Sequence, residues 1–307
     1  MPLLSVNNLN IAFTKYTKGL KQEEMQVIRD LNLSIDAGEM VAVVGASGSG
    51  KSLLAHAILG ILPSNAKVTG QMFYNGEELT EMKKVSLRGK EIALVPQSVQ
   101  FLNPLMKVGA QVQSVHNRKG SALLKKQVFE KYKLGSFVEK LFPFQLSGGM
   151  ARRVLVSTAV VSGAKVIIAD EPTPGLNAEV IKEAGKSFRE LADHGSAVMM
   201  ITHDIEFALQ FADKIAVLYA GTNIEVASVH DFTGDGERLR HPYTKALWRA
   251  LPQNGFVPIK GSQPLPNQLP KGCPFVPRCE LAVPSCSEEM PKSRNIREGT
   301  VWCDHAT

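Results

Sequence analysis

The chain has 307 residues, 44% of them apolar and 21% charged, with a net charge of +6. That length can bury one large core plus a smaller unit, and the composition is that of an ordinary soluble protein. No apolar run approaches the roughly 20 residues of a membrane-crossing helix, and the basic residues (Lys83, Lys84, Arg88 and Lys90; Lys119, Lys125 and Lys126; Arg238 and Arg240) lack the aromatic interleaving of a nucleic-acid groove.

Residues 3–13 alternate apolar and polar, which predicts a strand. The same opening has no basic and apolar leader with a cleavage site, so a chain that stays in the cytosol is expected. Residues 14–26 are polar and predict a loop. Residues 27–35 alternate again, and Asp36, Ala37, Gly38 and Glu39 predict a tight turn. MVAVVG at 40–45 is the continuous apolar run of a strand buried on both faces. A glycine-rich loop follows, then a buried helix over 52–62 that Pro63 is expected to close. In residues 68–95 the segments are short, with Asn75-Gly76 marking a hairpin. Residues 105–160 predict helices, broken at Gly120, Gly135 and Ser147-Gly148-Gly149.

Then strands over 164–172, 196–204 and 214–221 alternate with helices over 178–195 and 206–213. This alternation predicts an α/β fold on a mostly parallel sheet. After about residue 236 proline becomes frequent and periodicity fades, marking an appendage with little core.

GASGSGKS at 45–52 fits the phosphate-loop pattern G-x-x-x-x-G-K-[ST]. Its backbone N–H groups can wrap phosphates at the positive end of the next helix, with Gly45, Ser47, Gly48, Ser49 and Gly50 shaping the cradle. Lys51 would reach the β and γ phosphates and Ser52 would hold Mg²⁺. VIIADE at 166–171 ends a buried strand in two carboxylates. Asp170 is suited to Mg²⁺ and Glu171 to polarising a water as general base. LSGGM at 146–150 (Leu146, Ser147, Gly148, Gly149, Met150) opens an apolar helix that Arg152 and Arg153 continue. Its serine and glycine amides make a second anion site. Two phosphate-binding surfaces in one chain suggest nucleotide shared across a dimer.

In their order, GASGSGKS, Gln97, LSGGM, VIIADEP and His203 resemble the ATP-binding cassette (ABC) ATPases over residues 1 to about 235. The resemblance implies a P-loop NTPase core with an antiparallel β subdomain and a helical subdomain over about 88–160. It also implies a head-to-tail dimer with ATP between one phosphate loop and the other chain's signature loop. Gln97 would sense Mg²⁺ and γ-phosphate and face the membrane subunit, while His203 would hold the γ-phosphate and attacking water. An aromatic ring, Phe13 or Tyr16, would stack on adenine.

LGILP, FLNPLMKVG, FPFQLSGGM and HPYTKAL narrow the resemblance to the ATPases of oligopeptide, dipeptide and nickel importers. That implies ATP-driven import of peptides or metal chelates, carried out with a second, different ATPase and two membrane-spanning permease subunits. A substrate-binding protein would take part indirectly, and this chain would sit at the cytoplasmic face of the membrane. A soluble ABC ATPase of DNA repair or translation is the alternative. The family usually has aspartate where this chain has Asn177, in the loop that couples the two sites. The partner's site is therefore expected to be the weaker one.

The four cysteines, Cys273, Cys279, Cys286 and Cys303, all lie in residues 236–307, with five, six and sixteen residues between them. The spacing misses the paired motifs of common zinc sites and ferredoxins, and a cytosolic location disfavours disulfides. An iron–sulfur cluster of the [4Fe–4S] type, a zinc site and plain thiols remain open. Similar tails in peptide-importer ATPases share this cysteine pattern, and some are associated with an iron–sulfur cluster.

Overall fold

The computed structural model describes residues 1–16, 21–114 and 121–307. β1 (Leu4–Tyr16) and β2 (Gln22–Ile35) pair antiparallel, with register from Leu4 opposite Ile35 to Tyr16 opposite Gln22. The ribbon therefore takes in residues 14–16 and 22–26 of the stretch for which the sequence predicts a loop; residues 17–20 of it lie outside the described residues. Cross-strand pairs of opposite charge, Lys15–Glu23 and Lys67–Glu24, line this arm. With neither face buried, the arm has no apolar alternation to mark it as a strand.

β3 (Met40–Gly45) is buried along its length and leads through the glycine-rich loop into α1 (Lys51–Leu59). The N–H groups of Gly60 and Ile61 return to the carbonyls of Ala57 and His56, so the helix stops at Gly60, ahead of Pro63. β4 (Ala66–Tyr74) and β5 (Glu77–Glu78) join through Asn75 and Gly76, both at positive φ, the two-residue hairpin expected of that dipeptide. β4 and β5 complete a four-stranded sheet in the order β2-β1-β4-β5.

After α2 (Glu81–Leu87), β6 (Ile92–Val95) enters the larger sheet, so the helical block starts only beyond it. That block holds α3 (Val108–Ser114), α4 (Ser121–Lys131) and α5 (Gly148–Ser162). The break expected at Gly120 lies outside the described residues, as does Lys119. β7 (Val166–Asp170), α6 (Ala178–Asp193), β8 (Ala197–Thr202), α7 (Ile205–Phe211), β9 (Lys214–Tyr219) and β10 (Thr222–Ser228) follow the predicted alternation. β3, β6, β7, β8 and β9 run parallel; β10 returns antiparallel to β9.

Alternate residues of β3 enter different cores. Met40, Ala42 and Val44 join the helices on one face, and Val41 and Val43 join α1 and the smaller sheet on the other. The carboxyl ends of β3, β6, β7 and β8 then lie along one edge. That edge carries the phosphate loop and the segments of Gln97, Glu171 and His203, the place where open parallel sheets bind ligands.

Residues after 236 are less detached than their composition implies. α8 (Pro242–Arg249) and α9 (Ser285–Glu288) are followed by β11 (Arg294–Ile296) and β12 (Gly299–Val301). β12 pairs with β10, which gives the eight-stranded order β11-β12-β10-β9-β3-β8-β7-β6. Leu239, Tyr243, Trp248 and Phe275 are buried in the larger core, and Tyr219, Tyr243 and Phe275 form a ring cluster with centroids 4.5–5.4 Å apart. The expectation of a tail with little core is thus corrected. Its apolar anchors are a few aromatics spaced irregularly among prolines, a pattern with no period to detect.

Candidate nucleotide site and cysteine cavity

Gly45 ends β3 where a side chain has no room, since a Cβ would stand 2.4 Å from the Leu218 carbonyl oxygen of β9. Gly50 precedes α1 at φ 95°, a conformation glycine adopts without strain, with Ile28 of β2 packed against it. The N-terminus of α1 therefore opens toward the loop with its first amides free for an anion. Lys51 is buried, and its Nζ donates to the carbonyls of Gly45 (2.9 Å) and Ala46 (3.1 Å). Burial lowers its pKa, which the charges of Glu171 and Asp170 oppose.

Asp170, at the end of β7, is 3% exposed and hydrogen-bonded by Ser52, while its Oδ1 has no partner. Burial pushes its carboxyl above the usual aspartate range; the Ser52 bond opposes this and Glu171 adds to it. A buried carboxylate oxygen left without a partner beside a hydroxyl fits a divalent cation such as Mg²⁺, a hard ion that prefers oxygen ligands. Ser49 Oγ is also buried and unpartnered in the same loop.

Glu171 follows at φ 45°, held by its N–H to the Ile201 carbonyl (2.9 Å). Its two oxygens are shared: Oε2 accepts from Gln97 Nε2 (3.1 Å), and Oε1 lies 3.3 Å from His203 Nδ1. The structure thus brings to Glu171 one residue 74 positions before it and one 32 positions after it. Ser147 caps α5, accepting from the Met150 N–H (3.3 Å). Gly148 has open space where a Cβ would be, and Gly149 backs onto the Gly175 carbonyl. Asn177 caps α6 through Oδ1 to the Val180 N–H (3.0 Å). Phe13 packs toward the core that holds Ile28, whereas Tyr16 is exposed and accepts from Gln22 Nε2.

In the sequence Arg152 is a basic residue after the signature with no motif of its own. In the structure it is buried on α5 and donates to the carbonyls of Pro96 (2.8 Å) and Gln97, on either side of the peptide that positions Gln97. No local pattern reveals this, because the partners lie 55 and 56 residues away.

Residues 28–174 match the profile of the ABC transporter family, and residues 224–286 match that of the oligopeptide/dipeptide transporter C-terminal region. The chain is 34% identical to the oligopeptide transport ATP-binding protein OppD of Escherichia coli, covering 94% of this chain and 89% of that protein. It is 31% identical to AppD of Bacillus subtilis, covering 98% and 96%. The chain belongs to the ATP-binding subunits of the ABC transporters, in their oligopeptide/dipeptide branch. It is therefore an ABC ATPase, and ATP is its nucleotide. The fold agrees: the dimeric bacterial ABC transporter cassette MJ0796 superposes with a TM-score of 0.63 at 23% identity, over 74% of this chain and 98% of that one.

A second locus lies in the C-terminal region. Cys273, Cys279, Cys286 and Cys303 are all free and line one small cavity with His241, Asp304 and His305. Burial pushes the Cys273 thiol up to about 11 and raises those of Cys279 and Cys303. Among the described residues, no three His, Cys, Asp or Glu side chains are gathered to hold a single metal ion.

Proposed function

We propose that this ABC ATPase hydrolyses ATP with Glu171 as general base and so powers peptide import through a membrane transporter. The observation that carries the reading is Glu171 held between Gln97 and His203 at the edge that also bears the phosphate loop. In this reading Gly45, Ser47, Gly48, Ser49 and Gly50 present amides to the phosphates. Lys51 exchanges its carbonyl partners for phosphate oxygens. Glu171 takes a proton from the attacking water, and His203 orients that water against the γ-phosphate. Ser52, Asp170 and Gln97 would hold Mg²⁺, which supplies charge neutralisation between the phosphates. Phe13, on the core-facing side of β1, is our choice over Tyr16 for the ring nearest adenine.

The nucleotide-binding unit spans residues 1 to about 235, and 236–307 form its extension. Leu146, Ser147, Gly148, Gly149 and Met150 would serve ATP in a second, different ATPase subunit. Asn177 lacks the negative charge of the usual aspartate, so the competent site is this chain's own. Phe101, Leu105 and Phe144 expose apolar rings and chains on the segments after Gln97 and before Ser147, a surface for permease contact. Among the described residues no helix is long and apolar enough to cross a membrane. A peripheral position at the cytoplasmic face, on two permease subunits, follows from this reading.

The relatives' names favour peptides over nickel chelates, and a soluble repair or translation factor is not favoured. In the complex reconstituted in liposomes, Glu171→Gln should retain ATP binding and lose both turnover and uptake of labelled peptide. Unchanged turnover would refute the assignment of Glu171, and uptake of labelled nickel without peptide uptake would refute the substrate.

For the cysteine cavity we favour a [4Fe–4S] cluster. A tetrahedral zinc, with bonds of about 2.3 Å, draws four sulfurs around one ion. A cluster would be held by Cys273, Cys279, Cys286 and Cys303, which share one cavity. Brown protein carrying iron and acid-labile sulfide after anaerobic purification is expected; colourless protein with stoichiometric zinc overturns the cluster.

A further inference from the structure

The turn between β9 and β10 presses on the phosphate loop on one side and is gripped by the C-terminal region on the other. Tyr219 and Thr222 pair across the two strands, which leaves Ala220 and Gly221 as a two-residue turn at φ 46° and 89°. Alanine rarely adopts a left-handed backbone, so this turn persists only where its surroundings fix it.

On the nucleotide side the fit is close. Gly45 pairs with Leu218 in the sheet, and a Cβ on Gly45 would collide with the Leu218 carbonyl oxygen. A Cβ on Gly50 would lie 3.9 Å from Gly221 Cα, while one on Gly221 would collide with the Val27 carbonyl oxygen of β2. The Gly221 carbonyl also accepts the Arg29 N–H (2.8 Å). Gly45, whose carbonyl accepts from Lys51 Nζ, and Gly50, which opens α1, therefore both rest on this turn.

The grip comes from far along the chain, 43 and 59 residues away. Gln263 Oε1 accepts the Ala220 N–H (3.3 Å). Arg278 donates to the hydroxyl of buried Tyr219 (3.1 Å) and to the carbonyls of Lys260 (2.7 Å) and Ile259 (3.1 Å). One guanidinium thus ties the end of β9 to the segment that carries Gln263.

We propose that Gln263 and Arg278 are positioning residues for the phosphate loop, so that the C-terminal region sets how tightly this chain holds ATP. They act through the turn: once it loosens, Gly45 and Gly50 can shift and the loop amides lose the spacing that phosphate oxygens need. Such a change weakens ground state and transition state alike, which raises KM and leaves kcat in place. The inference rests on the reading of residues 45–52 as the phosphate cradle.

Equilibrium binding of ATP to the full chain and steady-state turnover of the assembled complex test it. The variants are Lys51→Ala, Gln263→Met, Gln263→Glu and Arg278→Lys. Methionine has the length of glutamine without the acceptor, and glutamate restores the acceptor oxygen. Lysine keeps the charge at position 278 but not the fork that reaches three oxygens. Gln263→Met and Arg278→Lys should weaken ATP binding and raise KM about fivefold, the loss of one hydrogen bond, with kcat within about twofold of wild type. Gln263→Glu should recover the wild-type affinity. Wild-type affinity in Gln263→Met, even with a lowered melting temperature, or no recovery in Gln263→Glu overturns the proposal. Undiminished ATP binding in Lys51→Ala overturns the phosphate-cradle reading, and this inference with it.

Discussion

Asp170 ties pH to both stability and metal binding. Its carboxyl is raised by burial, against the Ser52 bond and together with the charge of Glu171. Between the unfolded value near about 4 and the higher folded one, the native chain holds more protons than the unfolded chain. Stability therefore falls as pH rises through that window, and the cost persists above it. Asp170→Asn should raise the melting temperature of the nucleotide-free chain, more at pH 8 than below the window. It should also abolish Mg²⁺-dependent turnover. Thermal melts at two pH values with a parallel ATPase assay check both effects, and an equal gain at both pH values would disprove the linkage. Lys51, Asp170 and Glu171 were legible in the sequence because each has a fixed offset from a buried strand. That Glu171 bridges Gln97 and His203 was not, since spatial neighbours on different strands carry no common spacing.

α5 joins two roles that the sequence kept apart. Its N-terminus presents the signature, and four to five residues on, Arg152 grips the carbonyls around Gln97. Arg152→Met leaves both carbonyls without their charged donor, a loss of about 1–3 kcal/mol, and frees the Gln97 segment. The rate at saturating ATP should fall about tenfold with little change in the KM for ATP, because the hydrogen bonds of Arg152 go to the Pro96 and Gln97 carbonyls. Steady-state kinetics decide this; a rise in KM alone would place Arg152 in nucleotide binding instead. Arg152→Lys, which keeps the charge but loses the two-pronged geometry, should recover part of the rate. The helices and buried strands themselves were legible, since each is a local run of apolar residues. The arm of β1 and β2 was not, because both of its faces are wet.

Across the molecule, the C-terminal region is built into the sheet. Arg240 is fully buried, paired with Asp231 (2.9 Å) and Glu225 (3.3 Å), and it donates to the carbonyls of Ile296 and Arg297 beside β11. Glu225 also accepts the N–H groups of Arg240 and His241. A chain ending at residue 235 would leave Glu225 and Asp231 buried without their cation and expose the edge of β10. It should express as aggregate or melt far below the full chain, although the nucleotide motifs all precede the cut. Arg240→Met in the full chain should cost about 3–5 kcal/mol, since it leaves buried Glu225 without its cation and Asp231 with Arg238 alone. Soluble yield and thermal unfolding of both test this; an unchanged melting temperature would show that the region is a true appendage.

By itself the sequence determined the parallel sheet, the order of its helices and the phosphate loop with its acidic strand end. These are encoded in stretches of under about 20 residues, where apolar period and glycine placement act on the chain directly. Only the tertiary structure decided which distant groups meet. Arg29 reaches Pro270 across 241 residues, Arg152 reaches Pro96 across 56, and β12 closes on β10. Those meetings depend on how whole elements pack, and a buried donor is matched to its acceptor only when the layers between them are in place.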